Sequence, residues 1–154
     1  MSQEPVIRRA RMADLGRLAD YLNRVRSLVT PINREALLRD WANWGYLLAL
    51  DGDISGLAAW QVENYAACVR EIIVADPTRK ESLAKSLLAT IEGEASVLAC
   101  RAIFLFAPKS DLPTAAFYQR LGYMPLETAL INKHWREMVL PHLSEGIALF
   151  IKEL

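Results

Sequence analysis

The residues best placed to do chemistry lie where an apolar run ending in Val74-Ala75 is followed directly by a helical pattern. A helix that begins behind a buried strand presents backbone N–H groups without partners inside the helix, and its aligned peptide dipoles add positive potential. Such a helix start can hold an anion. Arg79, Lys80 and Lys85 place bases beside it, which is unfavourable for the helix unless an anion is bound. This strand–helix junction therefore predicts an anion-binding segment.

A capped helix without a ligand is the simpler alternative at the same junction. Thr78 is a good N-cap residue, and Glu81 lies three positions later, where its side chain would complete a capping box. Lys80 and Lys85 would then be ordinary solvated side chains. A second pattern elsewhere in the chain is needed to decide between the two interpretations.

That second pattern is Phe117–Tyr123, which reads Phe-Tyr-Gln-Arg-Leu-Gly-Tyr. It predicts the last turns of a helix that ends at Gly122, because glycine is favoured where a helix closes in the left-handed conformation. Tyr118 lies four residues before this stop, so its phenol can point off the helix end. The stretch resembles the Phe-Tyr-x-x-Leu-Gly-Phe signature of the GNAT superfamily, the acyl-CoA-dependent N-acyltransferases.

The strand–helix junction is similar to the pyrophosphate loop of the same superfamily. That loop carries Gln or Arg, two free positions, Gly, one free position, and then Gly or Ala. Arg79 matches the first element and Ala84 the last, but Ser82 stands where the central glycine is expected, and its Cβ occupies space that phosphate would approach. The resemblance implies that coenzyme A binds here, through Val74, Arg79, Lys80, Glu81, Ser82, Leu83, Ala84 and Lys85.

The resemblance further implies an enzyme that transfers an acyl group from acetyl-CoA, or another acyl-CoA, to a primary amine in a ternary complex. The acceptor could be a small molecule or a peptide. Tyr118 occupies the position of the family's motif tyrosine, whose phenol is protonated at neutral pH and can donate to the departing thiolate. The thioester would lie where the third and fourth long strands splay apart.

The attacking amine must also lose a proton, and Glu71 is the predicted acceptor. It lies in the apolar strand before the junction, where a carboxylate must face solvent, a cleft or a cation. A solvent-facing position, or a pair with a neighbouring arginine, is the alternative for this residue. Glu63, near the end of the preceding strand, is a weaker substitute.

Composition limits the remaining functions. Acidic and basic residues balance at 18 each, so charge gives no reason to expect nucleic acid or an anionic membrane as a partner. No apolar run approaches the ~18 residues of a membrane span, and Met1–Pro5 lacks the basic-then-apolar order of a secretion signal. We therefore expect one domain over residues 1–154, in the cytoplasm.

Metal chemistry is not expected. Cys68 and Cys100 lie in apolar surroundings and are predicted to be reduced core thiols. His134 and His142 have no cysteine or acidic residue at ligand spacing.

Hydrophobic periodicity predicts the element order β–α–α–β–β–β–α–β–α–β–β. The fold class is α/β (α+β), a single mixed sheet flanked by helices, and this order is also that of the GNAT fold. The expected bounds are strands at 6–10, 46–50, 54–62, 66–75, 102–107, from 123 and at 147–151, and helices at 12–27, 33–45, 79–95 and 113–121.

Two segments carry alternatives. Residues 144–154 could form a closing helix instead of a strand, and 132–143 reads as an extended connection. If Trp135 and Met138 are exposed there, they would suit a homodimer contact. The main alternative to an enzyme is a GNAT-like module that binds coenzyme A or a protein partner without catalysis.

Overall fold

The computed structural model describes residues 5–26 and 31–154. Its seven strands form one mixed sheet in the order β1-β2-β3-β4-β5-β7-β6, in which β4 and β5 are parallel. The strands are β1 Val6–Arg9, β2 Gly45–Asp51, β3 Asp53–Glu63, β4 Ala66–Val74, β5 Ala102–Pro108, β6 Met124–Pro125 and β7 Ile147–Glu153. The helices are α1 Leu15–Arg26, α2 Arg34–Trp41, α3 Lys80–Val97, α4 Leu112–Arg120 and α5 Arg136–Val139. The predicted fold class and element order are confirmed, with α5 as an added helix.

The chain divides into two compact units. Unit 1 comprises Met1–Ala59 and Ile72–Leu87, and unit 2 comprises Trp60–Glu71 and Leu88–Leu154.

The core of unit 1 is built on the apolar stripe of α1. Leu15, Leu18 and Leu22 are fully buried, as their three- and four-residue spacing predicted, and they pack with Leu48 and Leu57 of the sheet. Ahead of α1, residues 12–14 form a 3-10 turn rather than the first turn of the helix. The expected end of this helix at Ser27 lies outside the described residues.

Asn33 begins α2 as predicted, because its side-chain oxygen accepts the Ala36 N–H at 2.8 Å. The helix ends at Trp41 instead of reaching Gly45. Gly45 opens β2, and the next residue, Tyr46, accepts a hydrogen bond from the Ala10 N–H at 2.9 Å. Gly45 and Tyr46 therefore pair in the sheet instead of continuing the helix.

A buried carboxylate fastens β1 to the start of α1. Asp14 accepts two hydrogen bonds from the Arg8 guanidinium, at 2.8 and 3.0 Å, and others from Arg17 and the Arg11 N–H. The Arg8 hydrogen bonds are the main reason that the pKa of Asp14 lies far below its usual value. Asp14 is therefore ionised in the folded protein at neutral pH.

In unit 2, β7 lies between β5 and β6. It pairs with β5 antiparallel along its whole length, from Ala102↔Glu153 to Pro108↔Ile147. The alternative of a helix over 144–154 is therefore wrong. The segment forms a strand because every residue of β5 pairs with a residue of β7.

The expected extended connection at 132–143 is also wrong in part, because it contains α5 and a 3-10 turn at Leu140–His142. Met138 and Val139 are buried within unit 2 rather than exposed to a partner. The predicted dimer contact consequently loses Met138. Within the described ranges, no helix is long and apolar enough to cross a membrane.

A tight turn joins β3 to β4 through only Asn64 and Tyr65. Both have positive φ, 52° and 62°, the signature of a type I′ hairpin turn. Asparagine tolerates this conformation, but a bulky side chain pays roughly 1–2 kcal/mol for it. Tyr65 therefore occupies a position where glycine would be ordinary.

Candidate functional site

The strand–helix junction in unit 1 begins with an acidic cap. The Asp76 carboxylate accepts hydrogen bonds from the Thr78 N–H at 3.0 Å and the Thr78 hydroxyl at 2.8 Å, and a 3-10 turn, Pro77–Arg79, leads directly into α3. Asp76 is therefore the N-cap, and the predicted capping box built on Thr78 is wrong. Asp76 is favoured as the N-cap because the next residue, Pro77, fits the first helical position.

Three amides at this junction already donate within the chain. Besides the Thr78 N–H, the Arg79 N–H donates to the Asp76 carbonyl and the Lys80 N–H to the Pro77 carbonyl. The hydrogen bonds from Thr78 also lower the pKa of Asp76, which keeps it ionised at neutral pH. An anion that approaches this end of the helix therefore meets a resident carboxylate.

The predicted cofactor-binding side chains divide into three kinds. Arg79 forms an ion pair with Asp51, at the end of β2, with 2.6 Å between nitrogen and oxygen. Leu83 and Ala84 are buried, so only their backbone could meet a ligand. Val74 is half-buried, and the exposed residues are Lys80, Glu81, Ser82 and Lys85.

Tyr21 is a residue of this junction that the sequence analysis missed. Its buried hydroxyl donates to the Ser55 carbonyl at 3.2 Å and accepts the Ala75 N–H at 3.1 Å. It thus fixes the backbone that follows β4 to both α1 and β3. A tyrosine in the buried stripe of α1 signals that its hydroxyl needs a partner, but its sequence neighbours do not identify which one.

In unit 2, the parallel pairing of β4 with β5 is short. It consists of Ala66↔Ala102, Ala67↔Ile103 and Cys68↔Phe104, whereas β5 continues to Pro108. Within the part of the chain that the structure describes, residues 69–71 and 105–107 have no partners across this junction. The two strands therefore separate beyond Cys68, as the resemblance implied.

Tyr118 lies on one face of the sheet at β7, the strand that pairs with β5 on the side away from β4. Its ring packs edge-on against Phe150 with centroids 5.5 Å apart, and only 7% of the residue is exposed. Burial, with a contribution from the Asp111 carboxylate, raises the pKa of Tyr118 to about 12. The phenol is therefore protonated at neutral pH, as a proton donor must be.

The Tyr118 hydroxyl is available to a ligand. It makes no hydrogen bond to any described residue, and no described side-chain oxygen that is fully buried lacks a partner. The oxygen therefore reaches solvent although the ring is buried.

His142 lies on the opposite face of the same sheet. Its ring packs against Phe106 with centroids 5.4 Å apart. In the β5–β7 register Phe150 lies opposite Leu105 and Leu149 opposite Phe106. Because side chains alternate along a strand, Phe106 and Phe150 point to opposite faces. Tyr118 and His142 therefore lie on opposite faces of the sheet, at the register of Leu105 and Phe106, just beyond the last β4–β5 pair.

The environment of His142 keeps its imidazole neutral. Burial lowers the pKa of His142 below its usual value, and the positive charge of Arg70 lowers it further. A neutral imidazole at pH 7 can accept a proton. The sequence analysis considered this histidine only as a metal ligand, and its position against Phe106 is visible only in the tertiary structure.

Glu71, the predicted proton acceptor, pairs with Arg70 at 3.3 Å, and both side chains are about a quarter exposed. This is the arginine pair that the sequence analysis named as the alternative. Glu63 is exposed at the end of β3.

The cysteines are buried free thiols, and burial raises the pKa of Cys68 to about 12. Among residues 5–26 and 31–154, no three His, Cys, Asp or Glu side chains group in a way that could hold a metal ion.

The family model for the GNAT acetyltransferases matches residues 17–123, well over half of the chain. The chain belongs to the GNAT acetyltransferase family. A search of curated protein sequences finds no match.

Solved structures show the same GNAT fold at low sequence identity. The ribosomal-protein-S18-alanine N-acetyltransferase of Escherichia coli aligns with a TM-score of 0.70 at 15% identity, over 96% of this chain and 92% of that one. The PaiA N-acetyltransferase of Thermoplasma acidophilum, solved with coenzyme A, gives 0.73 at 13% identity, over 99% and 100%. A Mycobacterium tuberculosis protein, also solved with coenzyme A, gives 0.70 at 18% identity, over 97% and 99%.

Loss of the hydroxyl should affect stability very differently at the two tyrosines of this GNAT protein. Tyr21→Phe removes two hydrogen bonds and should lower the free energy of unfolding by about 1–2 kcal/mol. Tyr118→Phe removes none within the described residues and should change it by less than about 0.5 kcal/mol. Urea unfolding of the three proteins measures both values. A Tyr118→Phe loss as large as that of Tyr21→Phe would contradict a hydroxyl that is free for a ligand.

Proposed function

We propose that this GNAT protein is an N-acetyltransferase that moves an acetyl group from acetyl-CoA, or a related acyl group from its thioester, to a primary amine in a ternary complex. The observation that carries the proposal is the pair of groups on either side of β5, where the β4–β5 pairing ends. One is a protonated phenol, Tyr118, and the other a neutral imidazole, His142. The family match and the relatives solved with coenzyme A support a thioester as the donor.

The reaction needs two proton transfers, and these groups have the protonation states to make them. The amine nitrogen attacks the thioester carbonyl carbon, so that a C–N bond forms and the C–S bond breaks. The sulfur takes a proton from the Tyr118 hydroxyl, and the nitrogen gives one up. The products are an amide and a free thiol.

Two side chains are candidates to accept the amine proton. Glu71 would have to give up its ion pair with Arg70 to be protonated, which opposes the transfer. His142 is already neutral, so it can take up a proton, although the positive charge of Arg70 opposes this by lowering the pKa of His142. We propose His142 as the acceptor, directly or through a water molecule, and retain Glu71 as the residue that the sequence favours.

We propose that the pyrophosphate of the acyl-CoA binds at the strand–helix junction of residues 74–85. The exposed Lys80 and Lys85 and the amides beyond Lys80 support this position. The Asp76 carboxylate opposes it, and Arg79 would have to exchange Asp51 for phosphate. These resident contacts favour a weaker site than a bare helix start would give.

The same contacts, with Ser82 in place of glycine, favour one alternative: a module that binds coenzyme A without turnover. A single assay, the release of free thiol, distinguishes the two functions. Acetyl-CoA should raise the melting temperature in both cases, because a ligand of the folded state stabilises it. Only the enzyme should release free thiol with an amine acceptor.

For the enzyme, we expect that acetyl-CoA raises the melting temperature and that thiol is released with at least one member of a panel of amines and peptide N-termini. Tyr118→Phe should lower kcat by about 100-fold while the acetyl-CoA Kd changes by less than about twofold, since the phenol acts on the leaving sulfur. Equal rates in the two proteins would remove Tyr118 from the chemistry.

The position of the pyrophosphate can be tested with two matched caps. Asp76 and Asp111 each accept hydrogen bonds from the amide and hydroxyl of a threonine at a helix start. Either change to alanine should lower the melting temperature, because each removes a cap. Only Asp76→Ala should tighten acetyl-CoA binding in calorimetry, since it removes a competing negative charge. Weaker binding by Asp76→Ala than by Asp111→Ala would place the diphosphate elsewhere.

The proton acceptor determines the acid side of the pH profile. If it is His142, kcat/KM should be constant near neutral pH and fall as pH drops through a pKa below the ordinary histidine value, because protonation removes the acceptor. His142→Gln should abolish that step and lower kcat by about 100-fold. Glu71→Gln should preserve the step. The reverse pattern would identify Glu71 instead.

A further inference from the structure

A second concave site lies entirely within unit 2. It has a volume of about 330 Å³ and is lined by Asn64, Tyr65, Arg101, Asn132, His134 and Trp135. None of these residues has a part in the proposed acyl transfer. Its size falls at the lower end of the range of small-molecule sites.

The β3–β4 turn that forms one wall is fixed without help from the Tyr65 side chain. The Tyr65 carbonyl accepts the Arg101 N–H at 2.7 Å, and the Asn64 carbonyl accepts the Trp135 indole N–H at 2.9 Å. The Asn64 side-chain amide donates to the His134 carbonyl at 2.9 Å. These three hydrogen bonds tie the turn to the start of β5 and to the segment before α5, so the walls of the cavity are held in place.

The Tyr65 side chain has little burial in the fold to offset the strain in its backbone. It is 65% exposed and its hydroxyl makes no hydrogen bond within the described residues, yet its φ is 62°. Glycine would satisfy the same turn without strain. Strained non-glycine residues cluster at binding sites, where the side chain itself is needed. The strain at Tyr65 therefore points to the cavity that its ring lines.

The polar groups of the cavity are mostly donors that the fold leaves unused. In the part of the chain that the structure describes, the Arg101 guanidinium and the His134 ring make no hydrogen bond or ion pair. Asn132 uses its side-chain oxygen on the His134 N–H at 3.0 Å, which leaves its NH₂ group for another acceptor. The lining contains a cation and no acidic residue. This set of groups favours an anion that accepts several hydrogen bonds.

The remaining wall of the cavity is formed by aromatic rings. The Trp135 indole is held by its hydrogen bond to Asn64 and by an edge contact to Phe104, with centroids 5.5 Å apart. With Tyr65 it offers aromatic surface beside the guanidinium. A ligand that is planar as well as anionic would use both features.

We propose that this cavity binds a small planar carboxylate, such as an aromatic acid. The carboxylate accepts a forked pair of hydrogen bonds from Arg101, with Tyr65, His134 and Asn132 as further donors. The flat part of the ligand lies against Trp135. The site is independent of acyl-CoA and of the acyl-transfer residues.

NMR titration of the full chain with benzoate tests the proposal. Benzoate at millimolar concentration should shift the Trp135 indole N–H resonance saturably, and Trp135→Phe assigns that signal among the four tryptophans. Benzamide, which has the same shape without charge, should bind at least about 10-fold more weakly. No saturable shift with benzoate overturns the proposal. A shift with inorganic phosphate as strong as that with benzoate also overturns it, because charge alone would then explain binding.

Three variants separate recognition from structure. Arg101→Gln should raise the benzoate Kd by about 10-fold or more, whereas Lys133→Gln, which removes the same charge from an exposed neighbour outside the lining, should leave it unchanged. Tyr65→Gly should raise the melting temperature, because it relieves the turn, and still weaken benzoate binding. A Tyr65→Gly protein that is more stable and binds benzoate as well as before would show that Tyr65 has no role in the site. Acyl transfer measured in parallel should not change in any of the three.

Discussion

The early end of the parallel β4–β5 pairing is the constraint on which the proposed chemistry depends. Only three residue pairs join the strands, and β5 continues beyond them. Backbone groups that leave a ladder need partners from water, side chains or a ligand. The separation therefore creates both an opening in the sheet and a row of backbone groups that can hold an extended ligand. The roles proposed for Tyr118 and His142 depend on this separation, because the two residues lie on opposite faces of the sheet at the level where the pairing ends.

Electrostatic competition decides how strongly the helix start can hold an anion. A bare helix N-terminus would attract phosphate through its amides and dipole. Here Asp76 already satisfies the first amide, and Asp51 already neutralises Arg79. Both contacts stabilise the folded protein, so the diphosphate binding that we propose for this junction would have to offset them.

Long-range hydrogen bonds from side chains set the backbone at both positions where it matters. The Tyr21 hydroxyl fixes Ala75, directly before the junction in unit 1. In unit 2, Asn64 and the Trp135 indole fix the turn that carries Tyr65. In each case a residue far away in the sequence holds a short loop in one conformation. Because such loops are already ordered, a ligand can bind to them without the loss of conformational entropy that ordering a loop would require.

The order of the elements, the buried stripe of α1, the start of α2 at Asn33 and the end of α4 before Gly122 could all be predicted from the sequence. These features depend on residues within about one helical turn or one strand of each other, and short-range patterns record them. The strand at β7 and the position of His142 emerged only in the folded chain, because each depends on a partner distant in the sequence, β5 for β7 and Phe106 for His142. The Asp76 cap and the Arg70 pair of Glu71 are local contacts, and in both cases the sequence left two options that only the folded backbone distinguishes. Periodicity cannot register such partners, because the free energy that selects them appears only when the segments meet.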